Sequence, residues 1–165
     1  IQYFWHMALS NFERMLQLAD EVFATKNDPH QLDVNEEVIQ HLQQIHPATV
    51  SEYDDGNGPV AWILLLPTTT ELMHQFLEQK ISEKELYEKT PLNISYDALY
   101  LCSAMVLEEY RRKGIAKKLT LKAVEAIRKT NPIKSLFVWS FSKEGDLGAK
   151  ALAEITSLHL YKRMS

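Results

Sequence analysis

Arg111-Arg112-Lys113-Gly114-Ile115-Ala116 is the stretch of this chain whose residue types and spacing point most directly to chemistry. Three cations stand where a long helical pattern begins, and there the helix dipole already presents positive partial charge that disfavours basic side chains. A docked anion would reverse that penalty. Free backbone N–H groups at a helix start, a glycine that lets a ligand approach the backbone, and flanking cations together make a phosphate site, and a diphosphate suits it. The plainer reading is a connecting turn of solvated cations, screened by Glu108 and Glu109 just upstream. Other phosphate loops fit worse: a Rossmann turn needs G-x-G-x-x-G and a Walker loop needs G-x-x-x-x-G-K-[ST], whereas here a lysine precedes a single glycine.

Other side chains with chemical potential take plainer roles. Cys102 falls in an apolar strand pattern with no histidine partner evident and reads as a small buried hydrophobe. The six histidines contain no H-E-x-x-H, and His41 and His46 lie five apart, off the spacing that aligns two ligands on a helix, so no metal is expected. Trp5, Trp62 and Trp139 read as core or interface aromatics.

The elements that must position the Arg111 segment follow from periodicity. A chain of 165 residues, 45% hydrophobic and 24% charged, is long enough for one domain with a real core, taken here as residues 1–165. Ser10 with Glu13, and Asp33 with Glu36, have capping-box spacing ahead of apolar stripes at Phe12, Leu16, Ala19 and Phe23 and at Val38, Leu42 and Ile45, which predicts two amphipathic helices. Thr49 to Tyr53 alternates, Asp54 to Gly58 is a turn, and Val60 to Leu66 is a continuous apolar run: a hairpin whose second strand is buried. Thr69 to Thr90 reads as two short polar, peripheral helices, the second opened by Ser82 and Glu85. Ala98 to Leu107 is a strand, Gly114 opens a helix with Ile115, Leu119, Ala123 and Ile127 on one face, Ile133 to Phe141 is a strand, and Leu147 to Met164 is a last helix. Strands alternating with helices predict an α/β layered fold with a parallel βαβ unit around Ala98 to Phe141.

The net charge of −4 argues against a general nucleic-acid binder, so any anion site is local. A single cysteine forms no internal disulfide. The longest apolar run is too short to span a bilayer, and Ile1 to Ser10 lacks the marks of a signal peptide, so no membrane association and a cytoplasmic location are expected.

Val106-Leu107-Glu108-Glu109-Tyr110-Arg111-Arg112-Lys113-Gly114-Ile115-Ala116 resembles motif A, [QR]-x-x-G-x-[GA], of the GNAT superfamily of acyl-CoA-dependent N-acyltransferases. Arg111, Gly114 and Ala116 fill its three fixed positions between a strand and a helix. The resemblance implies a GNAT-like mixed sheet flanked by helices, with acetyl-CoA as acyl donor. It implies that the backbone of Ala104, Met105 and Val106 pairs with the pantetheine arm, while N–H groups from Arg112 through Lys113, Gly114 and Ile115 to Ala116 cradle the pyrophosphate. It further implies transfer of an acetyl or other acyl group to a primary amine, of a small molecule or a peptide, by direct attack in a ternary complex.

Attack requires a deprotonated amine, a polarised carbonyl and a protonated leaving thiolate. The family often takes its acid from a tyrosine in the last helix region, which designates Tyr161; its plainer role is that of a core tyrosine. For the base, Glu108 or a strand-lined water serves, the plainer role of Glu108 being to balance Arg111 and Arg112. The chain departs from the family pattern by lacking the two strands expected after the last helix, by carrying Ser140 and Ser142 where an asparagine is common, and by a long Thr69 to Thr90 segment. Strand edges left open by missing C-terminal strands favour a homodimer. Two rival functions remain: an acyl-CoA-binding domain without catalysis, and an interaction module whose Arg111 to Ala116 turn binds nothing in particular.

Overall fold

A computed structural model describes residues 9–26, 32, 34–139 and 142–164; Trp5, Asp33, Ser140, Phe141 and the side chain of Phe23 lie outside the described residues. Among the described residues, six helices and five strands follow one another as α1 (Asn11–Lys26), α2 (Glu36–Ile45), β1 (Val50–Asp54), β2 (Pro59–Thr68), α3 (Thr70–Leu77), α4 (Glu83–Lys89), β3 (Ala98–Val106), α5 (Ile115–Arg128), β4 (Ser135–Trp139), α6 (Lys143–Thr156) and β5 (His159–Arg163). Short 3₁₀ turns at Pro47–Thr49 and Glu108–Tyr110 lead into β1 and towards α5. The strands form one mixed sheet in chain order, antiparallel from β1 to β3 and parallel from β3 to β5.

The sheet separates two cores, and the sequence of β2 shows why. Leu64 and Leu66 face a layer built by Met15 of α1, Val38 and Leu42 of α2, Met73 and Phe76 of α3 and Leu86 of α4. Their neighbours Ile63 and Leu65 face the opposite layer, built by Ala123, Val124 and Ile127 of α5 with Leu152 and Ala153 of α6. A strand covered on both sides has no polar face to show, hence its unbroken apolar run. Both layers are buried at their centres: Phe76, Leu86, Phe137, Leu99 and Ile127 have no solvent exposure.

The α/β layered architecture expected from the alternation of strands and helices is present, with four corrections in detail. The 69–90 segment is not peripheral, because Met73, Phe76 and Leu86 are core residues and Glu83 is only 2% exposed, accepting hydrogen bonds from the Tyr100 hydroxyl (2.5 Å) and the Leu32 N–H (2.9 Å). Helix α2 is capped by Asn35, whose side chain accepts from the Val38 N–H at 2.9 Å, two residues later than the capping-box spacing predicts. Cys102 is half-buried where full burial was expected. Most consequentially, the last helix ends at Thr156. Ser157 adopts the left-handed conformation (φ 58°), the Leu158 N–H bonds the Ala153 carbonyl, and β5 then pairs in parallel with β4, so a strand does follow the last helix.

Candidate functional site

The two central parallel strands touch only at one end. Ala98 to Tyr100 pair with Ser135 to Phe137, and beyond them the rest of β3, through Val106, pairs with no strand on its β4 side among the described residues. Just where they part, β3 carries a bulge: Leu65 opposes Leu101 and Leu64 opposes Ser103, leaving Cys102 as the extra residue. A bulge bends its strand and disrupts pairing, so it turns β3 from β4 at the point of separation. The gap is a cavity of about 1120 Å³, with the free edge of β3 on one side, Val138 and Trp139 of β4 on the other, the first turns of α5 and α6 at its mouth, and Leu18 and Val22 of α1 beside it.

The mouth at α5 is built from the cationic segment. Gly114 is the N-cap of α5 in the left-handed conformation (φ 78°), and Arg112 is also left-handed (φ 64°), which is uncommon for a residue with a side chain. The first backbone bond of α5 runs from the Lys118 N–H to the Gly114 carbonyl at 3.0 Å, so the N–H groups from Arg112 to Lys117 donate to no protein acceptor among the described residues. Every other described α-helix start has a side-chain cap: Ser10 on α1, Asn35 on α2, Thr69 on α3, Ser82 on α4 and Ser142 on α6. Among the described α-helices, the one start without a side-chain cap thus carries three cations and opens on the cavity. That combination suits a multiply charged anion with phosphate-like acceptors.

Of the residues singled out from sequence, Ala104, Met105, Val106, Arg111, Arg112, Gly114, Ile115 and Ala116 line this cavity, together with Glu108 at its rim. Lys113 does not; its Nζ sits 5.5 Å from the centre of the Tyr110 ring. Tyr161 is also outside the lining. It stands on β5 opposite Phe137, one strand beyond β4, with its ring 4.4 Å from that of His159 and 6.0 Å from that of His74. The Arg111 Nε donates to the Val106 carbonyl at 2.9 Å, so its side chain ties the turn back to the end of β3. Glu109 does not balance Arg111 or Arg112 but receives a bidentate pair of bonds from Arg14, both 2.7 Å, and that guanidinium holds its carboxyl down to about 2.

Sequence reasoning missed several contributors. Arg14 and Asp55 reach the turn from 95 and 55 residues away, a relation no local pattern carries. Trp139, read as a core or interface aromatic, packs against the core and also lines the cavity at the end of β4, and Ser142, Gly145 and Gly148 line it from the start of α6. For Gly145 and Gly148 a signal did exist, since glycines inside a helical pattern cost stability and ask for a reason. Among the described residues, no group of three His, Cys, Asp or Glu side chains is arranged to hold a metal ion, and no helix is long and apolar enough to cross a membrane.

This geometry agrees with the family assignment. Residues 12–155 match the model of the acetyltransferase (GNAT) family, and the chain belongs to that family. No curated protein matches the chain significantly. Among solved structures, it is similar to an aminoglycoside acetyltransferase, meta-AAC0020, from an uncultured soil metagenomic sample, determined with trehalose: 17% identity, 95% of this chain and 93% of that one covered, TM-score 0.47. It is also similar to Chaetomium thermophilum Naa20 in complex with a bisubstrate analogue (15% identity, TM-score 0.45) and to the NatB acetyltransferase complex bound to a bisubstrate inhibitor (16%, TM-score 0.44). These two alignments cover 79% and 78% of this chain but only 59% and 60% of the chains they match.

Proposed function

We propose that the chain is an N-acyltransferase that moves an acetyl or other acyl group from acyl-CoA to a primary amine of a small molecule or peptide. The observation that carries this reading is the uncapped N–H array of Arg112 to Ala116 at the mouth of a cavity whose long wall is the unpaired edge of β3. An acyl-CoA is both a diphosphate and an extended chain with two amide groups. The turn supplies donors for the first, and the free backbone of Ala104, Met105 and Val106 supplies a strand edge for the second.

In the reaction the amine nitrogen bonds the thioester carbonyl carbon, the carbon–sulfur bond breaks, the amine proton leaves to a base, and the thiolate takes a proton back from that base or from solvent. In this reading Glu108, an exposed carboxylate of the cavity lining, takes the amine proton directly or through water. A backbone N–H near Val106 polarises the carbonyl. The reading routes no proton through Tyr161, whose ring lies outside the cavity. That same placement favours a second reading, a domain that binds acyl-CoA without transferring from it.

Release of free CoA from acetyl-CoA, followed with a panel of amines, polyamines and peptides, separates the two. The transferase reading expects release above background with at least one acceptor, falling by roughly tenfold or more in Glu108→Gln if that carboxylate is the base. CoA binding with no release from any acceptor favours the second reading.

A further inference from the structure

Three consecutive residues before the phosphate-type turn are each held by a different part of the molecule. Glu109 is gripped by Arg14 of α1 through two bonds of 2.7 Å. The Tyr110 hydroxyl donates to Asp55 in the turn between β1 and β2, and Asp55 is itself fixed by the Asn57 N–H (2.8 Å) and by Asn11 of α1 (3.2 Å). Arg111 is bonded to the carbonyl of Val106 at 2.9 Å. The next residue, Arg112, is left-handed. A residue with a side chain persists in that conformation when its surroundings over-determine it, and such strain gathers at ligand-binding turns.

Two of these anchors place carboxylates, Asp55 and Glu109, beside a turn that collects cations. For an anionic ligand this is the wrong sign of charge. The arrangement makes sense if their contribution is geometric. We propose that Arg14 and Asp55 are positioning residues for the acyl donor: through Glu109 and Tyr110 they hold the left-handed turn at Arg112, and so keep the N–H groups of Arg112 to Ala116 convergent before the ligand arrives. This rests on the acyl-CoA reading above and adds to it two residues outside the motif.

Charge and geometry predict opposite signs, which makes the test sharp. Glu109→Gln and Asp55→Asn each remove a negative charge near the turn; acting through the field alone they would tighten CoA binding, and increasingly so at low salt. Acting as anchors they weaken it, by about three- to tenfold in Kd, at low and high salt alike. Arg14→Ala and Tyr110→Phe, which break the same anchors while leaving the carboxylates in place, should weaken CoA binding comparably. Arg14→Ala combined with Glu109→Gln should be no worse than the weaker-binding single variant, because both break one contact. The measurement is calorimetric titration of CoA into the intact chain and each variant, with the unliganded Tm recorded alongside. An unchanged or lower Kd in the two carboxylate variants overturns the proposal, as does a lowered Tm with an unaltered Kd, which assigns the anchors to the fold alone. If the unsubstituted chain itself takes up no CoA, the acyl-CoA reading falls first and this inference with it.

Discussion

Gly114 meets two demands at one position. Its φ of 78° is a conformation that side chains rarely adopt, and a Cβ built there would meet no protein atom within 4 Å, so the space in front of it is open. The sequence argument for this glycine was close approach of a ligand to the backbone; the structure adds the conformational requirement. Gly114→Ala therefore costs about 1 kcal/mol of stability from the backbone alone. Its methyl group also enters the space over the N–H array, so we expect CoA affinity to fall by more than tenfold while the urea midpoint shifts only modestly. Comparable losses in the folding and binding equilibria would mean that the residue serves the fold and not a ligand. At this scale the turn was the most legible part of the chain, because Arg111, Arg112 and Lys113 break the charge rule for a helix start and Arg111, Gly114 and Ala116 fill the motif positions within the same six residues. Arg14 and Asp55 were illegible for the opposite reason. Each is an ordinary surface residue until the fold brings it to Glu109 and Tyr110.

Elements were readable where one period dominated and misread where two overlapped. The Ser82–Glu85 capping box was recognised from spacing and forms with both of its hydrogen bonds. The end of α6 was missed because no glycine or proline marks it: the left-handed residue that stops the helix is Ser157, and its N–H bonds Glu154 while the Leu158 N–H bonds Ala153. Beyond it β5 is a strand of only five residues, too brief to outweigh the helical pattern before it. Glycine is the usual occupant of such a cap, so Ser157→Gly should stabilise the protein by about 0.5 kcal/mol and Ser157→Val should destabilise it by more than about 1 kcal/mol. Urea unfolding at constant m-value measures both. If neither substitution moves the midpoint, the turn from α6 into β5 is not the point at which the helix is terminated.

At the scale of the whole molecule, the site is a consequence of a sheet that comes apart. Strands β3 and β4 are joined through Tyr100 and Phe137, whose rings stack at 5.1 Å in the core beneath α3, and they separate past the Cys102 bulge. The two cores on either side hold the halves in place, while α1 and the turn between β1 and β2 brace the loop that leads from β3 to α5. The order of helices and strands was legible in the sequence because the apolar periodicities are strong. The splay was not, since nothing in the composition of Leu101 to Val106 distinguishes a paired edge from an open one. All of this architecture converges on one claim, that the cavity receives an acyl-CoA by its diphosphate and its extended arm. The most direct measurement is the thermal shift of the purified chain with acetyl-CoA, CoA and ATP at matched concentrations, since a ligand that binds only the folded state raises Tm by mass action. A rise with both CoA species and little with ATP is the predicted result; no rise with any of the three would contradict the account and leave the Arg111 to Ala116 turn without a ligand.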